Sequence, residues 1–246
     1  MKKSIKNFIY IFVLLIFPII LGRFFFLSYY NKEKSKKVEI PVINNDETII
    51  EKINYEEIIN NLKNDYNNDD IVGILFVENA DFSEIIVQTT DNDYYLEHSL
   101  NKEYDWRGQG FLDYRVDINN SKKLLIYGHN ASNNDIPFKF FENYYDSNFL
   151  REHKYMYLQT DERVKKFEIF SVYVEVSDWS YFSKINFSSE EEFYNHILNL
   201  KNKSLYDTGV KIDKTDEILI IQTCSYHGDY ISYEDKFLLI IGKRIN

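Results

Sequence analysis

Seven short apolar runs, rich in β-branched and aromatic residues, dominate the chain beyond residue 69. They cover residues 71–77, 84–89, 123–127, 155–159, 166–176, 217–223 and 236–241. Polar stretches with turn residues separate the runs, for example residues 90–93, 117–121 and 208–215. Runs of this length between turn signals are typical of strands. The pattern therefore predicts a mainly β fold, in which the strands form a barrel.

Two helical patterns accompany the strands. Residues 48–66 carry apolar side chains at near-helical spacing, which predicts one amphipathic helix in front of the first strand. Two overlapping capping boxes, Ser188-x-x-Glu191 and Ser189-x-x-Glu192, precede apolar residues at helical spacing. This second pattern predicts a helix inserted before the strand at 217–223.

The N-terminal segment has a different character. Residues 8–30 contain a single charge, Arg23, and 23 residues are enough to cross a hydrocarbon core of about 30 Å as a helix. The segment lacks the small-residue cleavage site of a signal peptide, so we expect an uncleaved transmembrane anchor, which Pro18 would kink. The predicted organisation is a cytoplasmic N-terminus (1–7), the anchor (8–30), a linker (31–47) and one folded domain (48–246). Lysines on both sides of the segment leave its orientation open.

The charge of the chain is divided unevenly. Residues 1–37 hold eight of the 29 Lys and Arg residues but one of the 39 acids, so the remainder has 21 basic and 38 acidic residues. A domain this acidic is a poor partner for nucleic-acid phosphates, and nucleic acid is excluded. The single cysteine excludes a disulfide scaffold and a thiolate-rich metal site. No carboxylate cluster has the spacing of a calcium loop, so no metal is expected.

Two residues with catalytic chemistry follow predicted buried strands. Cys224 ends the run 218–223 and precedes the polar sequence Ser-Tyr-His-Gly-Asp, which favours a reactive thiol, although a lone cysteine here is more often an inert core residue. His129 follows the run 123–127, where Gly128 is expected to let the backbone turn sharply. His227, three residues after Cys224, is a weaker candidate for the base, because its short loop does not fix its position. The other three histidines are interpreted as ordinary surface residues: His98, His153 and His196.

The order of these motifs resembles the sortase family of membrane-anchored cysteine transpeptidases, and its class B branch in particular. The resemblance rests on Tyr127-Gly128-His129-Asn130 followed about 95 residues later by Thr223-Cys224, and on the inserted helix before the cysteine strand. It extends through residues 91–96, 111–115 and 167–173, and covers about residues 48–246.

The resemblance implies an eight-stranded β-barrel with an N-terminal helix and the inserted helix. It implies that Cys224 attacks the carbonyl of a Thr in a C-terminal sorting motif of secreted proteins. An amine of a peptidoglycan precursor would resolve the thioacyl intermediate, and His129 would act as acid and base. No cofactor is implied. The implied location is the cell membrane, with a single span and an extracellular catalytic domain.

The family also has an arginine on the strand after the cysteine, whereas the first arginine after Cys224 here is Arg244, which lies beyond the apolar run 236–241. The first basic residue after Cys224 is Lys236, which offers a point charge instead of a planar two-pronged donor. Lys236 is the candidate for the arginine's role, with a solvated lysine beside Glu234 and Asp235 as the alternative. By resemblance, the residues that would line the substrate groove are Thr223, Asn92, Leu96, Tyr181 and Phe182.

Two other functions stay open. The missing arginine keeps a catalytically impaired, sortase-like binding module in consideration. A cysteine peptidoglycan hydrolase is the second, although hydrolases of the papain type place the cysteine before the histidine, whereas His129 precedes Cys224 here.

Overall fold

Eight strands close into a barrel in the computed structural model, which describes residues 53–131 and 136–245. The order of strands around the barrel is β1-β2-β3-β4-β7-β8-β6-β5. The strands are β1 (Ile71–Val77), β2 (Ser83–Val87), β3 (Phe111–Leu112), β4 (Lys123–Tyr127), β5 (Tyr155–Gln159), β6 (Val164–Glu175), β7 (Ile218–Cys224) and β8 (Phe237–Arg244). The prediction of a mainly β, eight-stranded barrel is confirmed.

The parallel pairing of β4 with β7 positions the two candidate catalytic residues. Both strands are rich in Leu and Ile, and β4 is buried along its whole length, as expected for a strand with neighbours on both edges. Lys123 lies opposite Ile218 and Tyr127 opposite Gln222. Most other neighbouring strands are antiparallel, and β3 is too short for its two residues to show a strand pattern in the sequence.

Within residues 53–131 and 136–245, four α-helices lie around the barrel, with bounds α1 (Tyr55–Tyr66), α2 (Ser147–Glu152), α3 (Ser180–Ser183) and α4 (Glu190–Asn202). The side chain of Asn54 caps α1 by accepting the amide of Glu57. Ser189 caps α4 by accepting the amide of Glu192 at 3.1 Å, so the second of the two predicted capping boxes begins the helix. The predicted front helix and inserted helix are both present. Three 3-10 helices complete the described elements: Tyr94–Leu96, Pro137–Tyr145 and Gly228–Tyr230.

The 3-10 helix Pro137–Tyr145 carries a large share of the aromatic core. Phe138, Phe141 and Tyr144 are each at most 2% exposed and belong to the same apolar cluster as the inner residues of the strands. Burial of aromatic side chains this large supplies much of the apolar area of a core. The helix therefore packs firmly against the barrel, and it lies beside the ends of β4 and β7.

The prediction of a membrane location needs correction. None of the helices in residues 53–131 and 136–245 is long and apolar enough to cross a membrane. The longest, α4, has 13 residues, which extend about 20 Å at 1.5 Å per residue. The prediction of a single span with an extracellular catalytic domain therefore has no support from any described helix. The anchor at 8–30 and the linker at 31–47 lie outside the described residues.

Candidate active site

His129 and Cys224 lie at the ends of two paired strands: Cys224 is the last residue of β7, and His129 follows the last residue of β4 by two positions. The amide of Gly128 donates to the carbonyl oxygen of Gln222 at 3.1 Å, so the parallel pairing continues one residue beyond Tyr127. Continuing the same register by one more residue on each strand puts His129 level with Cys224. Neighbouring strands lie about 4.8 Å apart, so the two side chains start from adjacent backbone positions.

The ring of His129 is oriented by the backbone of a separate loop. Its Nε2 atom lies 2.8 Å from the carbonyl oxygen of Leu96. A carbonyl oxygen only accepts, so Nε2 carries the proton and Nδ1 is the basic nitrogen of the neutral ring. Gly108 packs against this arrangement with φ of +61°; a Cβ atom there would overlap the Tyr95 carbonyl and lie 3.1 Å from Cδ2 of His129. A residue other than glycine would displace the loop that orients the histidine.

Cys224 is a half-buried thiol between opposite charges. Burial raises the pKa of Cys224, the positive charge of Lys236 acts in the opposite direction, and Asp235 adds to the increase. Lys236 precedes Phe237, which pairs with Cys224 across β7 and β8. Its Nζ atom donates to the carbonyl oxygen of Tyr233 at 2.7 Å. The structure thus places Lys236 close enough to act on the thiol electrostatically.

Asn130 joins the two loops. Its Nδ2 atom donates to the carbonyl oxygen of Cys224 and to Oε1 of Glu142, both at 2.9 Å, and Asn130 is 3% exposed. Glu142 lies in the 3-10 helix Pro137–Tyr145 and also accepts the amide of Tyr226 at 3.3 Å. One carboxylate therefore holds the loop after His129 and the loop after Cys224. Asn130 directly follows the candidate base in the sequence, but the residue pattern alone does not indicate this role.

Gly128 is required for space and not for its backbone conformation. It is not among the described glycines with positive φ, so the expected sharp turn does not explain it. A Cβ atom at this position would overlap the ring of Phe138. The aromatic core beneath the site therefore fixes the path of the strand that leads to His129.

A buried carboxylate connects three parts of the site. Asp113 is fully buried and accepts hydrogen bonds from Arg115 (Nε, 2.8 Å), Tyr127 (Oη, 2.7 Å) and Asn92 (Nδ2, 3.1 Å). Burial raises the pKa of Asp113, but the hydrogen bonds from Arg115 and Tyr127 outweigh it and hold the pKa below its usual value. Arg115 also donates to the carbonyl oxygen of Phe182 at 2.8 Å. The sequence contains one local indication of this group, the spacing Asp113-x-Arg115, but no role was predicted for either residue.

The predicted groove residues differ in exposure. Leu96 and Phe182 are 36% and 37% exposed, whereas Tyr181 and Thr223 are 1% and 2% exposed. The hydroxyl of Tyr181 donates to Oε1 of Gln222 at 2.8 Å. Asn92 uses both ends of its amide inside the protein, because Oδ1 also accepts the amide of Tyr114 at 3.0 Å. Leu96 and Phe182 are therefore the members of this set that a substrate can touch directly.

The remaining histidines occupy other places. His227 packs against the ring of Tyr145 with 4.5 Å between ring centroids, and its Nδ1 accepts the amide of Asp229. His98 and His153 bond to backbone carbonyl oxygens, of Tyr94 and Glu78 respectively. His196 is 7% exposed and lies against Lys123, so its interpretation as a surface residue was wrong.

Comparison with known proteins gives consistent matches. The family model described as a sortase domain matches residues 75–243. Sortase B of Listeria monocytogenes is 32% identical over 180 residues, which are 72% of this chain and 71% of that protein. The crystal structure of sortase B from Clostridium perfringens is 32% identical, with a TM-score of 0.68 over 76% of this chain and 99% of that one. A sortase B–substrate complex from Staphylococcus aureus shares the fold at 22% identity, with a TM-score of 0.69 over 78% of this chain and 86% of that one.

Proposed function

This chain belongs to the sortase family and is a transpeptidase that resembles class B, and from this premise we propose that Cys224 is its nucleophile. The substrate is a secreted protein with a C-terminal sorting motif, cleaved after a Thr residue. The acceptor is an amine of a peptidoglycan precursor. The observation that supports this proposal best is the parallel pairing of β4 with β7, because Cys224 ends β7 and His129 follows the end of β4.

The reaction has two halves. Nδ1 of His129 takes the thiol proton, the sulfur of Cys224 attacks the Thr carbonyl carbon, the C–N bond breaks, and His129 gives that proton to the departing amine. The acceptor amine then attacks the thioester, His129 takes its proton, and the sulfur leaves. Only the thiolate is an effective nucleophile, and burial raises the pKa of Cys224, so the neighbouring positive charge of Lys236 favours the reactive form.

Lys236 is proposed in the place of the family's arginine. A positive group beside the attacked carbonyl stabilises the negative oxygen of the tetrahedral intermediate. A lysine supplies that charge without the two parallel hydrogen bonds of a guanidinium. The exposed side chains of Leu96 and Phe182 would contact the sorting peptide, and Thr223, Asn92 and Tyr181 would support the groove from beneath.

The test is ligation of sorting-motif peptides to an amine, with the products identified by mass spectrometry. We expect a peptide–amine product that disappears in Cys224→Ala and in His129→Gln, while the matched variant His227→Gln keeps it. A peptide library assayed with wild type and Cys224→Ala would define the motif.

Other outcomes would assign other functions. Cleavage of cell-wall peptides without ligation would indicate a peptidoglycan hydrolase, and binding of sorting peptides without turnover would indicate an impaired module. Lys236→Ala tests the charge separately: loss of ligation with an unchanged thermal midpoint supports its role, and near-normal turnover rejects it. Lys236→Arg restores the family's group and should retain or increase activity.

A further inference from the structure

Lys123 is a buried cation with no carboxylate partner among the described residues. It begins β4, is 2% exposed, and donates to the carbonyl oxygen of Lys184 at 2.8 Å and to Nε2 of His196 at 3.1 Å. Lysines are rarely buried this deeply unless they are paired with an acid. Both of its partners are neutral acceptors, so the ammonium charge is left without a balancing negative charge.

The charges around Lys123 add to this imbalance. Burial, together with the positive charges of Arg115 and Lys184, lowers its pKa to about 7, while Asp113 opposes them. His196 adds no negative charge: burial and the nearby lysines lower its pKa to about 3, so its ring is neutral at pH 7. Repulsion between like charges in a buried cluster is relieved when an anion binds among them.

A cavity of about 380 Å³ opens over this cluster. Its walls include the cationic residues Arg115, Lys122 and Lys123 and the apolar residues Ile185, Phe187 and Phe193. The acid in its wall, Glu190, is paired with Lys214 at 3.2 Å. Lys122 has no ion pair among the described residues, and its Nζ atom lies 5.7 Å from the ring centroid of Phe193. The charge of Arg115 is balanced by Asp113, so the cavity combines the positive charges of Lys122 and Lys123 with aromatic walls, in a domain that is otherwise strongly acidic.

We propose that this cavity binds a small organic anion, namely a carboxylate joined to an aromatic or apolar body. The carboxylate lies between Lys122 and Lys123, and the apolar body packs against Phe187 and Phe193. The cavity shares Arg115 with the hydrogen-bonded group around Asp113, but it lies away from His129 and Cys224, because Lys123 and Tyr127 are at opposite ends of β4, about 13 Å apart.

The test is isothermal titration of the full-length chain with benzoate, and with benzamide as its uncharged analogue. We expect saturable binding of benzoate at least about tenfold tighter than that of benzamide, as for an interaction in which the charge contributes about 1.4 kcal/mol. Lys122→Gln should weaken benzoate binding about fivefold. The matched control is Lys154→Gln, which removes another exposed lysine beside an aromatic ring, with 5.6 Å from Nζ to the centroid of Tyr155.

A pH series tests the part played by Lys123. Benzoate stays ionised from pH 6 to 9, so a loss of affinity as pH rises through about 7 reports loss of the ammonium charge, and Lys123→Met should abolish that dependence. Absence of saturable binding, equal binding of benzamide, or an equal effect of Lys154→Gln would overturn the proposal. Because Lys122 is exposed, Lys122→Gln gives a decisive result even if Lys123→Met does not fold.

Discussion

The side-chain amide of Asn130 donates to the backbone carbonyl of Cys224 at 2.9 Å. This hydrogen bond ties the residue after the proposed base to the proposed nucleophile itself. Asn130 also donates to Glu142, so side-chain hydrogen bonds fix the distance between the two strand ends in addition to the backbone hydrogen bonds between β4 and β7.

Asn130→Ala should reduce ligation about tenfold, because loss of a buried hydrogen bond worth about 1.4 kcal/mol lets the two loops shift relative to each other. The measurement is the rate of peptide ligation, with the rate of iodoacetamide alkylation of Cys224 as a readout that needs no substrate. Asn143→Ala removes an exposed amide that bonds to the carbonyl oxygen of Phe140 and serves as the control. If both variants ligate at the wild-type rate, Asn130 does not position the site.

Gly128→Ala should destabilise the fold by about 1–3 kcal/mol, since the added methyl group overlaps the ring of Phe138 in a packed core. The free energy of unfolding in guanidinium chloride measures this. Gly228→Ala is the matched control, because nothing lies within 4 Å of a Cβ atom there and its φ is not positive. Equal stability of the two variants would show that Phe138 can move aside at no cost.

Asp235→Asn should lower the pKa of Cys224, and Lys236→Met should raise it. The direction follows from the charges, since the Asp235 carboxylate disfavours the thiolate and the Lys236 ammonium favours it. Alkylation rates from pH 6 to 10 report the thiolate fraction, so the two variants should move the profile in opposite directions. Glu234→Gln is the control for removal of a neighbouring acid. Shifts in the same direction for Asp235→Asn and Lys236→Met would contradict this electrostatic description.

Lys203→Met should reduce stability at pH 7 by about 2 kcal/mol, because Nζ of Lys203 donates to both Glu175 and Asp178 at 2.6 Å. Burial raises the pKa of Glu175, but Lys203 and the backbone amides outweigh it, and Lys203 holds the pKa of Asp178 low. Carboxyl groups with lowered pKa stabilise the fold above their unfolded pKa of about 4 and lose that contribution as pH falls.

Wild type should therefore lose stability below pH 4 more steeply than Lys203→Met, as measured by thermal unfolding between pH 2 and 7. Lys214→Met breaks an exposed pair with Glu190 and should change stability by less than about 1 kcal/mol. A loss of stability in Lys214→Met as large as that in Lys203→Met would show that burial of Glu175 does not strengthen its ion pair with Lys203.

Local patterns predicted the strands well. The bounds of β4 and β5 agree with the predicted runs 123–127 and 155–159, because long apolar stretches between turn residues have few alternatives to a buried strand. The capping boxes at Ser188 and Ser189 located α4 but left its first residue open. In the structure both serines form hydrogen bonds with Glu192. Ser189 accepts the amide of Glu192, and the Glu192 carboxylate accepts the amide and hydroxyl of Ser188.

Long-range contacts account for what the sequence did not reveal. Asp113 looks like a surface acid in a turn, yet it is fully buried, because Tyr127 and Asn92 donate to it from 14 and 21 residues away, in addition to the nearby Arg115. His196 lies on the buried face of α4 against Lys123, from a strand 73 residues earlier. No local spacing encodes which distant partner satisfies a polar group, so these residues were misjudged or left unassigned.

The adjacency of β4 and β7 has a consequence for how the site comes into being. Pairing of parallel strands far apart in the chain must overcome the entropy of closing a long loop, and such contacts form slowly. In this barrel, β5, β6 and α4 all lie between the two strands along the chain. Before the two strands pair, the proposed nucleophile Cys224 lacks both the proposed base and the hydrogen bond from Asn130. The proposed site therefore requires this long-range pairing, and an incompletely folded chain carries the cysteine without it.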